Sequence, residues 1–244
     1  MTISNERIGI HDERRQAVSL ATARIMATRG VEGVSFRNIC SELGYSTHVI
    51  SHYFENKKEL ILFTARQCAE RQVARLKTAI EAGADMLGCL EALLPLDEER
   101  LIDSKVWIVF WAQTHDPEIA EVQQQFGGRW RALLLNTMEI RGYLPPDMSQ
   151  VEREFIAERL QIAVAGISTH GALGVWDAAR QREHAAVEIG AILQYITENR
   201  FGLRGDATPA ATEAPEPPVD LQDENARLRR LLVDALLKSE SASD

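Results

Sequence analysis

Apolar residues in this chain recur at intervals of three and four almost throughout, and no stretch alternates with the two-residue rhythm of a strand, which predicts an all-α protein. The first helix is expected over residues 12–30, with Ala17, Leu20, Ala21, Ile25 and Met26 as its core stripe and Gly30 at its end. Residues 35–60, SFRNICSELGYSTHVISHYFENKKEL, divide into two short helices around Gly44. Ser35 caps the first, whose apolar positions are Phe36, Ile39, Cys40 and Leu43. Ser46 or Thr47 caps the second, which turns Val49, Ile50 and either Tyr53 or Phe54 inward. From Lys57 a long helix continues through Leu60, Ile61, Ala65, Cys68, Val73, Leu76 and Ile80. Further helices are expected over 84–94 and 98–114, separated at Pro95, and from Pro117 towards Arg141 with Gly127 and Gly128 as a weak point. After the loop GYLPPDMS, residues 150–176 and 181–200 form two more, with Ile156, Ile189 and Leu193 on their apolar faces.

The outward positions of the second short helix are Thr47, His48, Ser51 and His52. Short polar side chains at the start of such a helix suit base edges and phosphates, so the pair reads as a helix-turn-helix for double-stranded DNA. The first helix, Gly30, this motif, the block His52-Tyr53-Phe54 and the run Asn56-Lys57-Lys58-Glu59-Leu60 follow one another in the order and spacing of the TetR family of bacterial regulators, which the chain resembles. The resemblance covers roughly residues 12–202. Within the family, YSTHVISHYFENKKEL and VWIVFWAQTHDPEIAEVQQQF are similar to the choline-responsive, BetI-like subgroup.

The resemblance implies a three-helix DNA-binding head over 1–56 and a larger helical body for effector binding and dimerisation over 57–204. It also implies a homodimeric repressor that binds a near-palindromic operator and is released by a small organic effector. Arg37 suits a guanine edge or a phosphate, with a surface ion pair to Glu42 or Glu32 as the alternative. Thr47, His48 and His52 are candidates for reading bases, flanked by Ser46 and Ser51, and His48 stands where the family usually has a small residue. Tyr53, Lys57 and Lys58 are expected on phosphates, contacts that orient without reading sequence. The last two body helices would form a four-helix dimer interface through Phe155, Leu160, Ile167, Val187, Ile192 and Ile196, with Ala163, Ala165, Gly166, Ala185 and Ala186 permitting close approach.

Trp107, Phe110 and Trp111 on one helix, with Trp130, His170 and Trp176 from later ones, are candidates for an effector pocket, and core packing is the other reading of each. Tryptophans suit a quaternary ammonium. The choline-responsive subgroup, however, carries an Asp-Gly-Leu-Trp type stretch that aligns with Ala165-Gly166-Ile167-Ser168, where acid and aromatic are both missing. A neutral or aromatic effector fits as well as choline.

An apolar share of 45% with 26% charged residues is that of a globular domain, and no apolar run approaches the roughly 18 to 20 residues of a membrane helix. The opening MTISNERIGIHDERRQ has no hydrophobic stretch of a secretory signal, so a cytoplasmic protein is expected. Cys40, Cys68 and Cys89 are widely spaced and read as structural thiols, and neither a metal nor a cofactor is called for. No nucleophile turn, HExxH, CxxC pair or phosphate loop points to an enzyme, and His115-Asp116 reads as a cap beside Pro117.

The net charge of −9 is informative once divided: residues 1–60 hold 8 Lys or Arg against 7 Asp or Glu, leaving 19 against 29 elsewhere. Basic surface must therefore be local, supplied by Arg37, Lys57, Lys58 and Arg14 or Arg15, beside an acidic body. Residues 205–219, GDATPAATEAPEPPV, read as a disordered linker. Residues 220–240 then place Leu221, Asn225, Leu228, Leu232 and Ala235 along the seam of a short coiled coil. Either an auxiliary dimerisation helix or a solvated amphipathic tail fits that pattern. An alternative function follows, a helical protein-interaction module that uses the acidic body and this tail.

Overall fold

A computed structural model of the protein describes residues 2–113 and 116–198, with side chains from residue 12 onward. The described residues form nine helices and no strand: α1 (Thr2–Arg29), α2 (Phe36–Leu43), α3 (Thr47–Tyr53), α4 (Lys57–Glu81), α5 (Met86–Glu91), α6 (Glu98–Trp111), α7 (Pro117–Ile140), α8 (Gln150–Ala172) and α9 (Ala178–Glu198). The all-α expectation holds. No described helix is long and apolar enough to cross a membrane. The linker and coiled-coil helix expected over 205–240 lie outside the described residues, as does His115.

The chain divides into two compact units, Met1–Arg75 with Asp97–Phe126, and Leu76–Leu96 with Gly127–Asp244. In the first, α1 packs against α2 and α6, and α2 against α3. The buried stripe of α1 is Val18, Ala21, Thr22, Ile25 and Met26, while Leu20, expected in the core, is 39% exposed. At about 100° per residue Leu20 stands about 160° from both Val18 and Thr22, so the stripe includes Val18 and passes Leu20 by. Gly30 ends the helix at a φ of 69°.

Between α4 and α6 of this unit lies a buried charge cluster. Asp103, whose side chain is 4% exposed, accepts from Arg75 at 2.9 Å and is clasped by Arg71, which also donates to the Cys68 sulfur at 3.2 Å. Two guanidiniums on one carboxylate supply the partners that a buried anion requires. Burial pushes the Cys68 thiol up, and Asp103 nearby adds to the effect. A sulfur held in the thiol form is a packing atom, as expected for a structural cysteine.

In the second unit α9 packs against both α8 and α5. The α7 helix runs unbroken through Gly127 and Gly128, where the sequence suggested a weak point. A Cβ at Gly127 would come within 3.3 Å of the Gln161 side-chain nitrogen, whose amide oxygen accepts from Arg131 at 2.8 Å, so a side chain here would press on that bonded amide. Ser149 and Glu152 form a reciprocal capping box that starts α8 and engages one carboxylate oxygen of a fully buried Glu152. The α8 helix ends at Ala172, short of residue 176, and α9 begins at Ala178, ahead of residue 181. Asp177 sets the second boundary by accepting from the Arg180 N–H at 2.8 Å.

Candidate nucleic-acid interface

Local chemistry fixes both short helices. The Ser35 hydroxyl accepts from the Asn38 N–H at 3.1 Å, and the Asn38 side-chain amide donates to the Gly33 carbonyl at 2.8 Å. Gly44 closes α2 at a φ of 68°, a conformation that costs a residue with a Cβ about 1–2 kcal/mol. Ser46 takes the N-cap position of α3 with no side-chain bond to the helix. Within the unit Ile39, Ile50 and Phe54 are at most 1% exposed, and each such burial contributes about 1.5–3 kcal/mol. That packing resolves the inward aromatic as Phe54, with Tyr53 half-buried against the same core.

Because Ile50 anchors the inner side of α3, Ser46, Thr47, His48, Ser51 and His52 are all exposed. They form one polar strip along the outer side. The Ser51 hydroxyl donates to the His48 carbonyl at 3.2 Å, and the His52 ring meets the Tyr53 ring edge-on at 5.3 Å. Arg37 is also exposed and forms no ion pair with any described residue. Glu42, one of its two candidate partners, is instead engaged by Arg24 at 2.7 Å.

The basic residues behind the recognition helix differ in availability. Asn56 caps α4 by accepting from the Glu59 N–H at 2.9 Å, and the Glu59 carboxylate accepts from the Glu55 N–H at 2.7 Å. This places Lys57 and Lys58 in the first turn. Lys57 is exposed and without an ion-pair partner among the described residues. Lys58 is held at 3.0 Å by both Asp116 and Glu118. These contacts raise the Lys58 pKa, the Asp116 bond contributing most, and hold the Asp116 carboxyl below its ordinary range. Arg15 stacks over Phe54 and Phe63, 5.0 and 4.5 Å from their centroids, and lies 3.8 Å from Glu59. It is a packing residue, and Arg14, which is exposed, is the one of that pair that faces solvent. Sequence spacing could not separate these neighbours, because the pairing of Lys58 depends on carboxylates 58 and 60 positions away.

The aromatic residues singled out for an effector fall into separate groups. In the first unit Trp107 meets Phe110 edge-on at 6.2 Å, Phe110 is fully buried and Trp111 is 45% exposed. In the second, Trp130 is buried, while Trp176 is sandwiched between His170 at 4.2 Å and His184 at 3.9 Å. His184 was not anticipated, since it stacks on a ring eight positions earlier across a turn.

Of the six expected interface residues, Leu160, Ile167, Ile192 and Ile196 are at most 4% exposed within the single chain. Phe155 and Val187 remain 40% and 38% exposed, and Val151, Ile162 and Tyr195 extend the apolar exposure of α8 and α9.

Residues 20–62 match the model described as "Bacterial regulatory proteins, tetR family", and residues 82–194 match "BetI-type transcriptional repressor, C-terminal". The chain is 28% identical over 210 residues to the HTH-type transcriptional regulator BetI of Serratia proteamaculans, covering 83% of this chain and 99% of that one. It is 27% identical over 170 residues to the HTH-type transcriptional regulator PksA of Bacillus subtilis, covering 67% and 80%. Among solved structures, a transcriptional regulator from Rhodococcus sp. Rha1 superposes with a TM-score of 0.63 at 26% identity, covering 74% of this chain and 96% of that one. A putative regulator from Saccharomonospora viridis in complex with choline shares the fold, with a TM-score of 0.62 at 23% identity and coverage of 77% and 97%. These names are those of transcription regulators and not of enzymes. The capped helix pair, the exposed polar strip of α3 and the lysine turn after it are thus the DNA-binding helix-turn-helix of a chain that belongs to the TetR family of transcriptional regulators, with a BetI-type C-terminal region.

Proposed function

We propose that this regulator is a ligand-responsive repressor that binds a near-palindromic operator as a homodimer and leaves it when a small organic effector binds. The observation that carries the reading is the division of α3, with Ile50 buried and Thr47, His48, Ser51 and His52 together on the open side. Residues 1–56 would act as the reading head, Thr47, His48 and His52 meeting base edges while Arg37, Tyr53 and Lys57 meet phosphates. Residues 57–204 would form the effector-binding and dimerising body. Two-fold symmetry brings two recognition helices to one face of the duplex, and the apolar side chains left exposed on α8 and α9 suit an isologous contact with a second copy. An effector acts by favouring the spacing of the two heads that fits the operator less well.

The S. viridis relative was solved with choline. This chain has Ala165-Gly166-Ile167-Ser168 in place of the subgroup's acidic and aromatic stretch, so a neutral or aromatic effector fits as well as choline. Fluorescence anisotropy of the purified protein on its own upstream DNA, against a scrambled duplex and with a panel of small compounds, tests the reading. Sequence-dependent binding of two protomers that one compound reverses is the expected result. Binding that never exceeds the scrambled control at any upstream site contradicts it.

A further inference from the structure

Beside the first turn of α4 the first unit contains a cavity of about 280 Å3, lined in part by Ile61, Phe110 and Ile119, with Lys57, Lys58 and Asp116 among its polar walls. The three apolar side chains are buried, at 5%, 0% and 6% exposure, and come from α4, α6 and α7. A space of this size is at the small end for an organic ligand, large enough for a ring or a branched chain.

Its charges are unequally satisfied. Asp116 accepts from Lys58 at 3.0 Å and from the Glu118 N–H at 3.0 Å, and Lys58 is also bound to Glu118 at 3.0 Å. Those groups are engaged with one another. Lys57 has no ion pair among the described residues, so the charge left to recognise a ligand at the wall is positive. A cation would find Asp116, the one carboxylate among the described wall residues, already taken, and a neutral compound would leave Lys57 unused.

We propose that this cavity binds a small organic acid, its apolar body against Ile61, Phe110 and Ile119 and its carboxylate on the Lys57 ammonium. The same ammonium is the one assigned above to an operator phosphate. Acid and DNA therefore compete for one cation, a consequence that rests on the operator reading, whereas binding of the acid does not.

The test uses the full-length protein with 13C-labelled isoleucine methyls, titrated with phenylacetate and with phenylacetamide as its uncharged counterpart. Phenylacetate should shift the Ile61 and Ile119 signals saturably and leave Ile189 and Ile192 of the second unit unmoved. Affinity should fall roughly two- to five-fold for phenylacetamide, and by the same factor for phenylacetate on Lys57→Gln, the size of one solvent-exposed ion pair. Lys57→Arg should restore it. Shifts that do not saturate, equal affinity for acid and amide, or binding indifferent to Lys57→Gln would each overturn the site. Competition is read separately, as release of a non-specific duplex by phenylacetate from the wild type but not from Lys57→Gln. If methyl shifts occur without release, the acid site stands and the assignment of Lys57 to phosphate fails.

Discussion

Lys57 and Lys58 adjoin in the same basic run, yet they should behave as different residues on DNA. Each phosphate neutralised by a cation contributes about −0.9 to the slope of log affinity against log salt. The proposed homodimer would carry two copies of Lys57, so Lys57→Ala should make the slope shallower by about 1.8. Between roughly 50 and 200 mM salt that amounts to about a twelve-fold smaller fall in affinity. Lys58 is held by Asp116 and Glu118, both at 3.0 Å, and is removed most cleanly together with one partner. Lys58→Met with Glu118→Gln deletes one positive and one negative charge and leaves Asp116 to accept from the backbone of residue 118 as before. That double variant should keep the wild-type slope. The assay is fluorescence anisotropy on a fixed duplex across a salt series, with the slope rather than a single affinity compared. An equal loss of slope in both variants would show that Lys58 leaves its carboxylates for phosphate, and the division drawn here would be wrong.

Thr47→Ala should relax preference at one base pair of the operator and leave affinity for unrelated DNA unchanged, measured by binding to a set of single-substitution duplexes; a uniform loss over all duplexes would remove Thr47 from base reading. Gly44→Ala places a Cβ in open space but at a φ of +68°, so its cost is confined to the backbone. Urea unfolding should register a loss of about 1 kcal/mol, and an unchanged midpoint would contradict the left-handed turn. The His184 pKa is lowered chiefly by burial, with Arg180 and His170 adding to this and Glu183 and Glu188 opposing it. Its folded value lies below the ordinary 6.5 of a histidine, so the unfolded chain binds more protons as pH drops. The contribution is intact above pH 6.5 and is lost as pH falls through the folded value. His184→Phe, which keeps a ring on Trp176, should therefore narrow the gap in thermal midpoint between pH 7.5 and 5.5; an unaltered gap would show that His184 is not the group that titrates.

Local signals carried the sequence reading furthest. Ser35, Gly44 and the periodic Ile39, Cys40 and Ile50 specify the helix pair within about 20 positions, and the structure has them as cap, turn and core. Leu20 failed because a run of Ala17, Val18, Leu20 and Ala21 offers two overlapping stripes, and only packing against other helices selects one. The α8 and α9 boundaries moved because Val175 and Trp176 continue an apolar rhythm past Ala172, where α8 ends, and because Asp177 starts the next helix earlier than its apolar positions suggested. At the candidate interface, residue types and exposure followed from the pattern, but the occupation of Lys58, Arg15 and Glu42 by partners far along the chain did not. The Trp176 stack with His170 and His184 is likewise tertiary, brought together by the turn between α8 and α9.

Selection of genomic fragments by the purified full-length protein, followed by counting protomers on the bound site, bears on the whole account. Two recognition helices related by a two-fold axis predict an inverted repeat whose half-site centres lie about 34–36 Å, one helical turn, apart, with two protomers on each site. Bound fragments that share no sequence, or a single half-site filled by one protomer, would contradict it.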